Sequence, residues 1–168
     1  MPYVMSVDGM AEISETLAKL EDAAPKIAAR ALYDGAGIMA DEVKKQAEAI
    51  RTEPFRYASG GKTRLPSPEE KEIVMKASAG IAKFKKDGTE VDTSVGYRNS
   101  GYAELNGKKK PIPVIVNSIN SGTSFMNKQP FVRKAANNGG KKAMEAMKKV
   151  IETEFEALTK NGREGNKT

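Results

Sequence analysis

The chain has 168 residues, with 28 Lys and Arg against 22 Asp and Glu for a formal net charge of +6, and it contains no Cys, His or Trp. Without Cys and His there is no disulfide framework, thiolate nucleophile, zinc knuckle, Ser–His–Asp triad or imidazole ligand. Any metal site would have to use oxygen ligands alone, so neither catalysis nor a cofactor is expected.

Hydrophobic residues are 39% and charged residues 30%, the mixture of a globular chain, which predicts one domain over 1–160 and a frayed tail over 161–168. Apolar runs such as Val114-Ile115-Val116 fall far short of the roughly 20 residues that span a bilayer, so no membrane partner is expected. Met1-Pro2-Tyr3-Val4 offers neither a basic nor an apolar leader region, which predicts intracellular synthesis.

In chain order, Met10, Ile13, Leu17 and Leu20 follow Asp8-Gly9 at three- and four-residue spacing. That spacing predicts an amphipathic helix over about 9–22 with Asp8 as N-cap. Pro25 suits the first turn of a second helix, whose stripe through Ile27, Ala31, Ile38, Val43 and Ala47 to Ile50 completes a helical hairpin. Gly35, Ala36 and Gly37 narrow its middle, forming a groove for another helix from the same chain or from a neighbouring subunit.

From 51 to 68 the periodicity stops. Prolines and glycines there alternate with Arg51, Arg56, Lys62 and Arg64, and with Phe55, Tyr57 and Leu65. A stretch of about 18 residues is long for a loop in a compact domain, and such loops are functional or disordered. This one is expected to be a basic arm that orders against a partner through Arg51, Phe55, Arg56, Tyr57 and Arg64.

Ser67 with Glu70 three residues on is a capping-box pattern, with Pro68 at the first position of a helix over about 68–78. Alternating runs at 81–85 and 91–97 flank Asp87-Gly88, a hairpin cue in which Gly88 supplies positive φ. Residues 112–119 predict a further strand, at an edge because Pro113 donates no ladder hydrogen bond. Pro130 opens the last helix, and Asn137-Asn138-Gly139-Gly140 should kink or interrupt it. A stripe from Ala143 through Met147, Val150, Ile151 and Phe155 to Leu158 carries it to about 159, where Asn161-Gly162 ends it. Together these elements predict an α+β fold: an N-terminal helical hairpin and a long C-terminal helix packed on a small, mostly antiparallel sheet, with an extended basic loop.

No chemistry-bearing cluster emerges. Asp41, Glu42 and Glu48, like Glu152, Glu154 and Glu156, lie at spacings that read as solvated helix surface, because adjacent and i+2 carboxylates do not face one another. The charge is polarised instead. Residues 1–50 carry five basic and nine acidic side chains, a net of −4, and the remainder carries a net of +10. Between 107 and 149 there are ten Lys and Arg and one acid, Glu145. Such a surface suits an acidic protein partner or nucleic acid, against the plain alternative of a face that keeps the chain soluble.

The run Ile119-Asn120-Ser121-Gly122-Thr123-Ser124-Phe125-Met126-Asn127-Lys128-Gln129-Pro130-Phe131-Val132-Arg133-Lys134-Ala135 resembles the tail-component family of long-tailed bacteriophages and prophages. That family comprises neck, head–tail joining and tail-completion proteins. Its members carry a Tyr-Ala step, a Gly-Thr-Ser turn and a Gln-Pro-Phe-Leu-Arg-Pro-Ala-like start to the last helix. Tyr102 in Gly101-Tyr102-Ala103, then Gly122 and Thr123, then Gln129, Pro130, Phe131 and Arg133 stand at the corresponding places. Asn120-Ser121 replaces the family's acidic residue before the turn, with Glu104-Leu105-Asn106-Gly107 as the alternative equivalent.

The resemblance implies a non-enzymatic virion subunit, assembled in the host bacterial cytoplasm. It would form a homo-oligomeric ring between head and tail and contact other phage head-completion and tail proteins. A ring needs heterologous contacts that close by rotation. The acidic first fifty residues and the basic remainder offer unlike faces, with Gly35, Ala36, Gly37 and the arm 51–68 as candidate contacts. The alternative is a small basic nucleic-acid-binding protein making non-specific DNA contacts, which a steep loss of affinity with salt would reveal.

Overall fold

The computed structural model describes residues 10–57, 59–87, 90–97 and 100–164. Two long helices form its frame, α1 (Met10–Glu48) and α4 (Phe131–Glu164), lying antiparallel along one another. Arg30 pairs with Glu154, Gly35 meets Met147, and Gly139 meets Met39 and Glu42. The helices approach closely where side chains are smallest. A Cβ on Gly35 would lie 2.8 Å from Met147 Cγ, and one on Gly139 would lie 3.1 Å from Met39 Sδ and 3.2 Å from Glu42 Cβ.

This seam corrects three expectations. The N-terminal helical hairpin does not exist, because Pro25 lies inside one continuous helix and the partner of α1 is α4. An interior proline costs about 3 kcal/mol of local preference. Burial of Ala31, Ala36 and Ala143 is a tertiary term that sequence spacing does not register. Asn137-Asn138-Gly139-Gly140 does not interrupt α4, which stays helical through it while α1 presses against Gly139. Asn161-Gly162 does not end α4 either, for residues 161–164 remain helical and only 165–168 lie outside the described residues. Asp8, the expected N-cap, also lies outside them.

Between the long helices run α2 (Pro68–Ala77), β1 (Gly80–Ile81), β2 (Lys85–Asp87), β3 (Glu90–Asp92), β4 (Val95–Gly96), β5 (Tyr102–Leu105), β6 (Lys108–Pro111) and α3 (Ile112–Ser121). The strands form three two-stranded antiparallel ladders, β1–β4, β2–β3 and β5–β6, rather than one sheet. β1 to β4 make the expected hairpin. Its register shifts between Ile81↔Val95 and Lys85↔Asp92, where three residues on one strand face two on the other, as in a bulge. Gly88, expected to supply the turn, lies outside the described residues. The β5–β6 hairpin was not anticipated, although Asn106 and Gly107 (φ 53° and 69°) are the Asn-Gly pair that a two-residue turn favours.

The edge strand expected at 112–119 is helix α3. Its buried residues are Ile112, Ile115, Val116 and Ile119, a helical period, and Pro113 sits in the first turn, where a missing N–H costs nothing. Nor does α4 pack on a sheet, since it runs along α1 and only its first turns reach the main core. That core gathers Val43, Ala47 and Ile50 after the middle of α1, Val74 of α2, Leu105 of β5, the inner face of α3, and Phe131 and Ala135 of α4. Tyr97 meets the Phe131 ring edge-on at 6.3 Å, and Ile119 is fully buried.

Gly37 has nothing within 4 Å of a notional Cβ, whereas Gly35 is filled by Met147. Gly37→Ala is therefore expected to stabilise the chain by about 0.5–1 kcal/mol through the backbone entropy of the unfolded state. Gly35→Leu is expected to destabilise it by about 1–3 kcal/mol through overpacking. Urea unfolding midpoints of the two variants check the contrast.

Candidate functional site

The arm is built outward from the end of α1. The Lys71 ammonium donates to the carbonyls of Glu48 and Ile50 at 2.7 and 3.0 Å, placing a cation where the helix leaves unsatisfied oxygens. The next residue is clamped from a distance. The Arg51 amide donates to Gln129 Oε1 at 2.9 Å, and Gln129 Nε2 donates back to the Arg51 carbonyl at 2.7 Å. A glutamine amide has this donor and acceptor pair at the spacing of a backbone peptide group. Glu53 then folds the arm on itself. Its amide donates to the Pro66 carbonyl, and its Oε1 accepts from the Leu65 amide at 2.9 Å and from Arg56 Nε at 3.0 Å. Arg56 also donates to the Thr63 carbonyl at 3.0 Å.

Arg64 is the centre of this arrangement, with 6% of its surface exposed, against 4% for Glu70. The two side chains pair in parallel, Nη1 to Oε2 at 2.7 Å and Nη2 to Oε1 at 2.6 Å. Glu70 Oε2 also accepts from the Ser67 amide at 2.7 Å, and the Glu70 amide donates to Ser67 Oγ at 3.2 Å, completing the capping box expected at the start of α2. The remaining Arg64 contacts are the Leu65 carbonyl at 3.0 Å and the Phe55 ring, whose centroid lies 5.0 Å from Cζ. Burial alone would raise the Glu70 carboxyl, but the Arg64 guanidinium and the Ser67 amide outweigh it and hold the group below its ordinary value. The hydrogen bond to Glu70 in turn raises the Arg64 guanidinium.

The Arg64 backbone carries the arm onto the segment before α4. Its amide donates to the Phe125 carbonyl at 2.9 Å, and its carbonyl accepts from the Asn127 amide at 2.8 Å. Thr63 and Asn127 bond side chain to side chain beside that bridge. The turn itself requires glycine. Gly122 has φ 78°, and a Cβ there would fall 2.9 Å from Lys128 Cβ and 3.1 Å from the Met126 carbonyl oxygen. Thr123 and Met126 exchange backbone hydrogen bonds across it. Asn120, standing where an acidic residue was expected, accepts from the Val132 amide at 3.1 Å and so satisfies an orphan donor of the first turn of α4. Gln129 is fixed in place by donating from its amide to the Ile119 carbonyl at 2.7 Å, and Phe131 is buried.

The structure thus brings together Arg51, Phe55, Arg56, Tyr57 and Arg64 with Gly122, Thr123, Gln129, Pro130 and Phe131, two groups that looked independent in sequence. The arm is ordered by its own chain as far as these bonds reach. It still presents Phe55 and Tyr57 outward, edge to face at 5.2 Å, with Tyr57 83% exposed and Phe125 exposed on the neighbouring segment. Arg133 is exposed in the first turn of α4. Tyr102 stands apart on β5, exposed, with the Lys109 ammonium 5.3 Å from its ring. Gly35 and Ala36 are buried along the frame and Gly35 meets Met147 of the same chain, so the groove there is filled from within, while Gly37 has open space around it. Glu53 and Gln129 hold the arm in place, a role that sequence spacing did not show, although Gln129 stands in the family-like step. The one hint was that Glu53 is the single acid in the arm.

Among the described residues no three His, Cys, Asp or Glu side chains form a metal-binding group, and no helix is long and apolar enough to cross a membrane. A shallow groove of about 340 Å³ lies elsewhere, between α1 and α4, lined by Arg30, Asp34, Lys149 and Glu154 among others, and Arg30 and Glu154 there already satisfy one another. No protein-family model, curated protein or solved structure matches the chain. What the arm and turn present to solvent is an aromatic and cationic surface.

Two outcomes test the arrangement. Arg64→Met leaves the Glu70 charge buried without its partner and is expected to cost about 3–5 kcal/mol at pH 7. Because the fold lowers the Glu70 pKa, the pair stabilises above the ordinary carboxylate value of 4.5, and its contribution is lost as pH falls through the lower folded value. The stability gap between wild type and Arg64→Met is therefore expected to narrow under acid, as read by urea unfolding at pH 7 and pH 3. Gln129→Ala removes both bonds to Arg51, and limited proteolysis is expected to cut the arm several-fold faster while the global unfolding midpoint shifts by only about 1–2 kcal/mol.

Proposed function

We propose that this chain is a structural subunit of a tailed-phage virion: a head–tail connector, neck or tail-completion protein that assembles as a ring between head and tail. One observation carries the reading. The two sequence elements that most resemble the phage tail-component family, the Gly122-Thr123 turn and the Gln129-Pro130-Phe131 step, form one unit that grips the arm through Gln129 and Arg64. A motif that spends its polar groups holding a surface segment in a defined shape suits assembly rather than turnover.

The charge distribution supports the same reading. A ring subunit must present two different surfaces to its neighbours. This chain carries −4 over its first fifty residues and +10 over the rest, and the acidic start of α1 and the basic arm beyond its far end favour contact between unlike surfaces of two copies. The role is structural, and the place of action is the virion.

Purified full-length protein is expected to form closed oligomers of a single subunit number, alone or on isolated phage tails, by native mass spectrometry and negative-stain microscopy. It is also expected to restore the joining of heads and tails in extracts of the phage whose capsid, portal and tail-tube genes flank its own. A chain that neither oligomerises nor restores joining, and whose gene lies among no such neighbours, defeats the proposal.

A further inference from the structure

We infer that the aromatic face of the arm, around Phe55 and Tyr57, is the docking site for the acidic amphipathic start of α1 of a second copy of this chain, so that subunits join head to tail. The inference rests on the ring-subunit reading above and names the contact within it. Four observations converge on it.

The face is preorganised, since Arg64–Glu70 and the Gln129 clamp order the arm before anything binds, which reduces the entropy lost on association. It is also cationic. The arm's one acid, Glu53, is consumed by the Leu65 amide and Arg56, while Arg51 and Lys62 hold their side chains in solvent. An exposed aromatic pair rimmed by cations fits an apolar stripe rimmed by acids.

The start of α1 has that composition. Residues 10–22 contain four acids and one lysine, with Met10, Ile13, Leu17 and Leu20 at helical spacing. Among the described residues, no helix runs beside its first turns. Stepping ten residues along each helix from the Arg30–Glu154 pair places Glu164 level with about residue 20, so the first turns of α1 run past the described part of α4.

The geometry then excludes a contact within one copy. The arm departs from the C-terminal end of α1, and at 1.5 Å per residue the start of that helix lies about 55 Å away. Basic face and acidic segment therefore sit at opposite ends of one rod, the arrangement of a heterologous contact, which forms a ring when the rotation between copies closes.

Charge reversal in full-length protein tests the docking. Arg51→Glu/Lys62→Glu and Glu21→Lys/Asp22→Lys change exposed side chains at the two ends, and circular dichroism verifies that both variants fold. Each alone is expected to weaken self-association at least tenfold by sedimentation velocity. An equimolar mixture is expected to recover oligomers, since each reversed or native face then finds its opposite. The cysteine-free background allows a second measurement. Tyr57→Cys mixed with Ala18→Cys is expected to give an intermolecular disulfide that neither variant gives by itself.

Oligomers that persist undiminished in both charge variants, or a mixture that fails to recover association, overturn the docking and leave the ring reading standing. A wild-type chain that stays monomeric at every concentration also overturns the docking, whatever head–tail joining assays then say of the ring reading. If Arg51→Glu/Lys62→Glu abolishes binding of a labelled single-stranded oligonucleotide while self-association is unchanged, the face is a nucleic-acid contact and the docking is likewise overturned.

Discussion

The pairing of Arg64 with Glu70 in the interior is the constraint on which the placement of the arm depends. Neither charge tolerates burial alone, and a buried ion pair gains over separate solvation only when its geometry and remaining hydrogen bonds are satisfied. Here both carboxylate oxygens receive a guanidinium N–H, and one also receives the Ser67 amide. Meeting those demands fixes several segments at once. The start of α2 is set by the capping box, Leu65 and Pro66 are held inward, and Phe55 is seated over the guanidinium. Through the Arg64 backbone the same residue holds the segment before α4. Such a pair contributes uniqueness of conformation more than raw stability, which is what a surface segment needs if it is to present a defined face.

The frame of α1 and α4 does a different job. Its seam is made of Gly35, Ala31, Ala36, Gly139 and Ala143 against Met39 and Met147, so the backbones come close and little large apolar surface is enclosed. The dense core lies to one end, where α2, α3 and β5 close over the second half of α1. The molecule therefore combines a packed head, from which the arm emerges, with a long two-helix extension. The start of α1 and the arm lie at opposite ends of that rod, while basic residues of α4 run beside the acids of α1, as Lys142 does beside Glu42.

Features legible in the sequence were those settled by neighbours a few residues away. Ser67, Pro68 and Glu70 announced the start of α2 because a capping box is closed within one turn. The hairpin around residue 88 was legible from alternation, although its bulge was not. The irregular arm was legible as a break in periodicity, and Gly122 and Pro130 as fixed points in the chain path. The run 112–119 reads as a strand, with Pro113 setting only its edge placement, yet it is helix α3. The burial of Ile112, Ile115, Val116 and Ile119 on a helical period was the stronger signal. Asn106-Gly107 is a strong local cue, but Lys108, Lys109 and Lys110 do not look like a strand until Leu105 is seen to be buried opposite Lys108.

By itself, then, the sequence determined composition, charge polarity, the absence of thiol and imidazole chemistry, and the turns and caps whose hydrogen bonds close locally. Tertiary structure alone decided that Pro25 and the Asn137–Gly140 stretch stay inside continuous helices, as α1 and α4 lie along one another with Met39 and Glu42 against Gly139. It alone decided that Gly35 receives Met147 of its own chain, and that Gln129 clasps Arg51 across 78 residues. The reason is the same in each case. Local propensities differ by at most a few kcal/mol, and the contacts that overrule them join residues whose proximity no short window of sequence contains.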